Sequence, residues 1–229
     1  MSRTSTILLL LLATGLATGT ATAQSVDVGA DFVSRYVWRG LDFGESASIQ
    51  PGLSVSSGAF SVGTWASYSV SADGSGANEH DLFLSFAAGP VSFGVTDYYF
   101  PAPGGAGLFN FDGDGEGAHW IEPFVSFSGP ETFPISVFAG MFVHNDPDNS
   151  VYVEAKYPFS LNGTELALTA GVVPMESAFY GTDGFALTNV GVSASHAVPI
   201  TDRFSLPLFV SYIINPEAER SYLVFGLSL

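Results

Sequence analysis

Cysteine is absent from this chain of 229 residues, and basic residues are scarce. Without cysteine there is no disulfide framework, no thiolate metal site and no lipid-modified cysteine after a signal peptide. Lysine and arginine together number 6 against 22 aspartate and glutamate residues, a formal net charge of −16. Nucleic-acid binding depends mainly on basic side chains that neutralise phosphates. The composition therefore argues against nucleic acid as a partner.

Long apolar runs are missing as well. The apolar stretch Ile7–Leu12 is far shorter than the ~20 residues of a membrane-spanning helix, and no later segment reaches that length. It follows Arg3 and precedes Ala21-Thr22-Ala23, which is the order of a secretory signal peptide and its cleavage site. We predict a signal peptide over residues 1–23, a mature chain over residues 24–229, and no spanning helix.

The chain has instead a two-residue alternation of apolar and polar side chains. It is clearest in the last stretch, where the two faces are Leu223, Phe225, Leu227 and Leu229 against Tyr222, Val224, Gly226 and Ser228. A period of two is typical of a β-strand. In a bilayer, strands must close into a barrel because every backbone polar group needs a partner. The sequence thus predicts an all-β protein, a closed antiparallel transmembrane β-barrel.

Twelve such stretches are predicted, joined in turn by short and long connections. They cover residues 26–39, 47–56, 60–70, 80–88, 91–100, 118–127, 133–144, 151–158, 165–173, 185–196, 204–214 and 220–229. Short turns of such barrels face the periplasm and long loops face outward. The expected location is the outer membrane, with its lipid as the surroundings and the barrel-assembly machinery as a partner of the C-terminal strand.

The first predicted strand divides into two faces. Tyr36 and Trp38 fall on the apolar face, where an outer aromatic girdle is expected. The pore-lining set predicted over the whole chain is Asp27, Asp31, Arg35, Arg39, Asp81, Glu122, Glu154 and Lys156. Two interpretations stay open for its arginines: a transverse field that sorts solutes by charge, or pairing with Asp31, Asp81, Glu122 or Glu154. The acidic excess of the set favours cations or neutral solutes.

Three motifs connect the chain to a known family. They are SRYVWRGL over Ser34–Leu41, HDLFLSF over His80–Phe86 and DYYFP over Asp97–Pro101. With them the sequence resembles the TorF-type porin family of bacterial outer-membrane proteins, best over Val26–Pro101. The resemblance implies an outer-membrane barrel with a porin role, and no substrate or catalytic residue. One departure is the final Leu229, where such barrels usually end in phenylalanine.

An outer-membrane lipid hydrolase is the rival among enzymes. His144 and Ser150 flank one long loop, and nucleophilic catalysis needs such a pair within hydrogen-bond reach. The chain has no G-x-S-x-G and no H-E-x-x-H motif, and its 4 histidines are scattered over different strands. We predict that the protein is not an enzyme.

A divalent-cation loop is the second rival. Asn110, Asp112, Asp114 and Glu116 alternate with glycines, as at the start of a calcium loop. The closing carboxylate of the motif should fall at the position of Ile121, so the full pattern fails. No metal and no cofactor are predicted, and weak Ca²⁺ or Mg²⁺ binding by this loop stays open.

The predicted function is a narrow passive channel for small polar solutes, leaning weakly toward cations. Eight strands leave an interior filled by side chains and sixteen to eighteen leave a water channel, so twelve is intermediate. Whether the pore is open depends on inward side chains and on the loop 101–117, which could fold inward. The alternative is a non-conducting barrel with a structural or surface-binding role.

Overall fold

The computed structural model describes residues 24–101 and 107–229, and the predicted signal peptide lies outside this range. Within it, twelve antiparallel strands close into one barrel in which each strand pairs with its neighbours in sequence. The strands are β1 Gln24–Val33, β2 Ser48–Ser57, β3 Phe60–Ser69, β4 Glu79–Ala88, β5 Val91–Tyr99, β6 His119–Ser128, β7 Ser136–Met141, β8 Val151–Leu161, β9 Thr164–Val173, β10 Ala186–Thr201, β11 Phe204–Asn215 and β12 Arg220–Ser228. The predicted closed twelve-stranded barrel is confirmed. No helix in the described ranges is long and apolar enough to span a membrane.

The barrel closes where the first strand meets the last. β1 pairs with β2 along its whole length, from Gln24 opposite Ser57 to Val33 opposite Ser48. Its register with β12 runs only from Asp31 to Val33. One further pair of backbone hydrogen bonds, both 3.0 Å long, joins Ala30 and Leu229. The C-terminal residues therefore complete the sheet, as backbone satisfaction in a bilayer requires.

The outer wall of the barrel is apolar. On β12, Leu223 and Phe225 are 64% and 62% exposed, whereas Val224 between them is buried at 7%. The same alternation of exposed apolar side chains recurs on strands around the barrel. An apolar band around a closed sheet is the surface that lipid covers in transmembrane barrels, and it is consistent with an outer-membrane location.

The two ends of the barrel differ in their connections. At one end the strands are joined by tight turns, such as Asn162-Gly163, where both residues have positive φ angles of 51° and 78°. Two consecutive residues of this kind form the type I′ turn that suits a two-residue hairpin. Connections at the other end are generally longer, such as residues 34–47 and 174–185. We call these the short-turn end and the long-loop end.

Three strands depart most from their predicted bounds. The first ends at Val33 rather than residue 39, because the chain turns into the lumen after Ser34, whose amide still donates to the Phe225 carbonyl of β12 over 2.8 Å. The stretch 133–144 forms a strand only over Ser136–Met141, since the chain makes a turn closed by a hydrogen bond from the Phe133 amide to the Pro130 carbonyl. β10 extends to Thr201 rather than 196, because it continues to pair with β11 down to Phe204.

Candidate functional site

A short hairpin, with two residues in each strand and two in the turn, follows β1 and enters the barrel. Val37–Trp38 pairs with Leu41–Asp42, and the residues between them, Arg39 and Gly40, have φ angles of 51° and 81°. These angles are those of a type I′ turn. A Cβ atom on Gly40 would lie 1.9 Å from the carbonyl oxygen of Thr188 on β10, so only glycine fits there. The hairpin thus carries Arg39 at its tip into the lumen.

Arg39 is held by a carboxylate on the opposite wall. Its Nη1 and Nη2 atoms donate to the two oxygens of Glu122 over 2.6 and 2.8 Å, and Nη1 also donates to the Tyr180 hydroxyl over 2.7 Å. Tyr98 donates a further hydrogen bond of 2.8 Å to Glu122. The side chains of Arg39 and Glu122 are only 8% and 1% exposed. Bidentate geometry of this kind offsets much of the cost of burying two charges.

Aromatic rings surround the guanidinium. Its central carbon lies 4.0 Å from the ring centre of Trp38, 4.5 Å from that of Tyr152 and 4.9 Å from that of Phe138. Cation–π attraction strengthens when the cation is desolvated, as it is here. Burial alone would lower the pKa of Arg39, but the electrostatic interaction with the Tyr180 hydroxyl and the hydrogen bond to the charged Glu122 outweigh it and raise that pKa. Arg39 therefore stays charged in the lumen.

A second hairpin enters from the other side. Glu176–Ser177 pairs with Thr182–Asp183, and its turn brings Phe179 and Tyr180 against the first hairpin, with the Tyr180 ring parallel to that of Trp38 at 6.2 Å. Together they complete an aromatic layer across the lumen, formed by Tyr98, Phe142, Tyr152, Val173 and Tyr180 with Trp38, Leu41, Phe100, Trp120, Phe138 and Phe179. The gap enclosed by Trp38, Phe43 and Phe179 leaves no volume for a water molecule. We call Arg39, Glu122 and this layer the plug.

Two more carboxyl groups lie beside the plug on β4. Glu79 accepts a hydrogen bond of 2.9 Å from the Tyr36 hydroxyl, and it is 2% exposed, while Asp81 is 7% exposed. The Asp81 Oδ1 atom is buried and has no partner within the described ranges. The pKa of Tyr36 lies well above its ordinary value. Burial is the main cause, and the charge of Glu79 is the next.

Below the plug, toward the short-turn end, the lumen is polar and partly open. A cavity of about 300 Å³ is lined by Asp27, Asp31 and Gln50 among others. A second of about 400 Å³ is lined by Asp31, Lys156 and Glu165 together with serines of β10, β11 and β12. We call this region the vestibule. Its charged lining carries more carboxylates than cations.

The structure divides seven of the eight predicted pore-lining residues between the vestibule and the region of the plug. Asp27, Asp31 and Lys156 line the vestibule. Arg39, Glu122 and Asp81 belong to the plug or lie beside it, and the structure pairs Arg39 with one of the four carboxylates that the sequence allowed. Glu154 accepts hydrogen bonds from Tyr152 and from Asn189, the latter 3.0 Å long.

Three predicted positions are wrong, and for one reason. Arg35 does not stand on an inner strand face, because the strand ends before it; it pairs with Asp42 over 3.1 Å and is 39% exposed. Tyr36 and Trp38 do not form the outer girdle, since both turn into the lumen with the hairpin. The sequence left open whether the loop 101–117 folds into the lumen. In the described part of that loop, Phe111 stacks on the outward side chain of His119 at 3.9 Å.

A band of aromatic side chains does circle part of the outer wall at the long-loop end. It consists of Tyr68, His80, Tyr99 and His119, whose neighbouring ring centres are 5.3, 5.9 and 4.8 Å apart. These residues stand at or near the ends of four consecutive strands and share the outward face. The alternation of side chains in the sequence already places these four residues on the outward face. They were not predicted as a girdle because histidine is not a usual girdle residue.

Neither rival site assembles in the described residues. The Ser150 hydroxyl is bonded to that of Ser177 over 2.6 Å, and the buried Nε2 atom of His144 has no partner, so the pair required for nucleophilic catalysis is not formed. The acidic stretch 110–116 is largely exposed. Within residues 24–101 and 107–229 there is no group of three or more histidine, aspartate or glutamate side chains arranged to hold a metal ion.

Comparison with protein families matches residues 17–206 to Gcw_chp, described as bacterial proteins of unknown function. The chain belongs to this family. The match spans all three segments that resemble the TorF-type porins, and a bacterial family without an assigned function is compatible with that resemblance. A search of curated proteins found no match.

Proposed function

We propose that this member of the Gcw_chp family is an outer-membrane porin-type channel for small polar solutes, closed in the state described, with the plug as its gate. The observation that carries the proposal is the polar vestibule inside an apolar-walled closed barrel, which ends at one layer centred on Arg39. In this proposal outer-membrane lipid surrounds the wall, and the barrel-assembly machinery recognises β12.

The vestibule supports transport because its lining is suited to water and ions. A barrel with a purely structural role has no need of serines and carboxylates around cavities of about 300 and 400 Å³. Pore selectivity follows the charged side chains that line the path. The charged lining of the vestibule consists of three carboxylates and one lysine, namely Asp27, Asp31, Glu165 and Lys156. This excess of negative charge favours cations or neutral solutes over anions.

The construction of the plug supports a gate. Arg39 sits on a hairpin that is not part of the barrel wall, so the hairpin can move while the sheet stays closed. Polar contacts hold its tip: the Glu122 pair, the Tyr180 contact, and a hydrogen bond of 3.2 Å from the Asn215 side-chain amide to the Gly40 carbonyl. Trp38 and Leu41 of the same hairpin pack in the aromatic layer. The buried carboxyl groups of Glu79 and Asp81 offer Arg39 other acceptors in a second arrangement.

The non-conducting barrel is the second candidate, and one observation favours it. The aromatic layer is packed without a gap for water around Trp38 and Phe179, as in a core that never opens. In that case Arg39 and Glu122 serve only to order the interior.

Planar-bilayer recordings of refolded protein separate the two. We expect rare, brief openings from the wild type and frequent openings from Glu122→Gln, because the amide keeps the size of the side chain but removes the charge that holds Arg39. Glu165→Gln is the matched control: it removes a carboxylate of the vestibule and should leave the gate closed. Tyr180→Phe, which removes only one hydroxyl, is a milder second variant.

Folding is verified by the difference in gel mobility between unboiled and boiled samples. Correctly folded Glu122→Gln and Tyr180→Phe proteins that both stay silent would reject the gated channel in favour of the non-conducting barrel. Large steady conductance from the wild type would reject the plug as a closure.

A further inference from the structure

The outer wall carries a groove that the channel does not explain. It runs across β1 to β6 with a volume of about 510 Å³ and is lined mainly by apolar side chains. We call it the lateral groove. Its volume lies within the range of pockets that take small-molecule ligands, roughly 300 to 1,000 Å³.

Side-chain size on neighbouring rows of the sheet creates this groove. One outward row holds the small residues Ala66 and Pro51. The next row toward the short-turn end holds Leu53, Thr64 and Leu82 on three neighbouring strands, with Thr64 paired to the leucine on either side. Small side chains between larger ones leave a depression on a pleated surface. The groove is therefore a feature of this sequence and not of barrels in general.

One end of the groove is polar. His119 contacts Asp97 through Nδ1 over 2.9 Å and the Leu108 carbonyl through Nε2 over 2.8 Å. Asp97 stands directly opposite Leu82 on the outward face, an unusual place for a carboxylate. The Nε2 atom of His80 is also buried beside the groove and has no partner in the described structure. A buried polar atom without a partner is costly, so His80 points to a ligand.

The other end is apolar and lies deeper along the barrel. The groove starts where β5 ends at Tyr99 and β6 begins at His119, and it reaches Val28, five residues before the end of β1. Five residues of strand are about 17 Å. Val28 and Leu82 are 76% and 63% exposed, as lipid-facing residues are. A polar end at the long-loop rim and an apolar end toward mid-barrel match the direction of an outer-leaflet lipid.

We propose that the lateral groove binds one acyl chain of an outer-leaflet lipid, with an oxygen of its headgroup as the acceptor for His80 Nε2. The loop next to the groove extends the same surface, since Phe109 beside Leu108 is 89% exposed. The inference rests on the outer-membrane orientation of the proposed function, but it does not depend on conduction.

Native mass spectrometry of the refolded full chain tests the site, with lipid A titrated into the detergent. We expect one retained lipid A on the wild type. Ala66→Phe fills the floor of the groove and should weaken retention by at least about tenfold. Ala170→Phe is the matched control, because Ala170 is outward on β9, between Ala155 and Val190, three strands away from the groove. His80→Ala should weaken retention by about fivefold, the worth of one net hydrogen bond.

Three results would overturn the proposal. Equal retention by Ala66→Phe and the wild type would place the lipid elsewhere. Retention of phosphatidylethanolamine but not of lipid A would contradict the assigned leaflet. A dimer that Ala66→Phe dissociates, without a lipid adduct, would make the groove a contact between two copies of the chain. Each outcome is independent of the conductance recordings, so failure of the gate and failure of the groove are distinguishable.

Discussion

Replacing Arg39 by methionine should destabilise the barrel far more than the loss of an exposed charge would. The guanidinium makes bonds of 2.6 and 2.8 Å to Glu122, and the two side chains are 8% and 1% exposed. Removing one partner of such a pair strands the other charge in the interior, which costs about 3 to 5 kcal/mol. We expect this loss in the free energy of unfolding for Arg39→Met, and a similar one for Glu122→Met.

The double variant Arg39→Met with Glu122→Met provides the control, because no charge is then left without a partner. Apolar replacement of a whole buried pair is often neutral, so its stability should return close to that of the wild type. Urea unfolding in detergent, followed by tryptophan fluorescence, measures all four proteins, since Trp38 lies 4.0 Å from the guanidinium. Single-variant losses below about 1 kcal/mol, the range of exposed ion pairs, would refute the reasoning, because Arg39 would then be hydrated and the lumen open.

Three other predictions concern the hairpin, alkaline stability and orientation. Gly40→Ala places a Cβ atom 1.9 Å from the Thr188 carbonyl at a φ of +81°. The substitution should therefore displace the hairpin and open the channel in bilayer recordings. Gly74→Ala is the control: its φ of +78° is similar, but nothing lies within 4 Å, so the channel should stay closed. Burial raises the pKa of Tyr36 above 10.0, so the unfolded chain loses this proton first. The contribution of Tyr36 to stability is therefore constant below about pH 10 and falls as pH rises further. In urea titrations above about pH 10, Tyr36→Phe should show a smaller fall than the wild type, and an equal fall would contradict this assignment. A protease site inserted at Gly74 should be cleaved on intact cells and one at Gly163 protected, and the reverse pattern would mean that the barrel is inverted.

The alternation of side chains was sufficient to predict the barrel. In a strand that faces lipid on one side and water on the other, the polarity of each residue indicates on which face it lies. Closure then follows from backbone hydrogen bonding, which does not depend on which residues are present. Local turn chemistry, such as Asn162-Gly163, defines the short-turn end in the same residue-by-residue way. The count of strands and the alternation of short and long connections could therefore be obtained from the sequence.

The end of β1 and the plug were decided only by the tertiary structure. Tyr36 and Trp38 keep the parity of an outward strand face, and apolar side chains satisfy a lipid-facing wall and a buried core equally well, so polarity alone cannot distinguish the two places. What turns the chain inward is the pairing of Arg39 with Glu122, 83 residues away in sequence. The fit of Gly40 against Thr188 adds a second long-range contact. Such contacts form only once the sheet has closed and brought β6 and β10 around the hairpin. The sequence around a residue does not indicate which residue on the opposite wall it will contact.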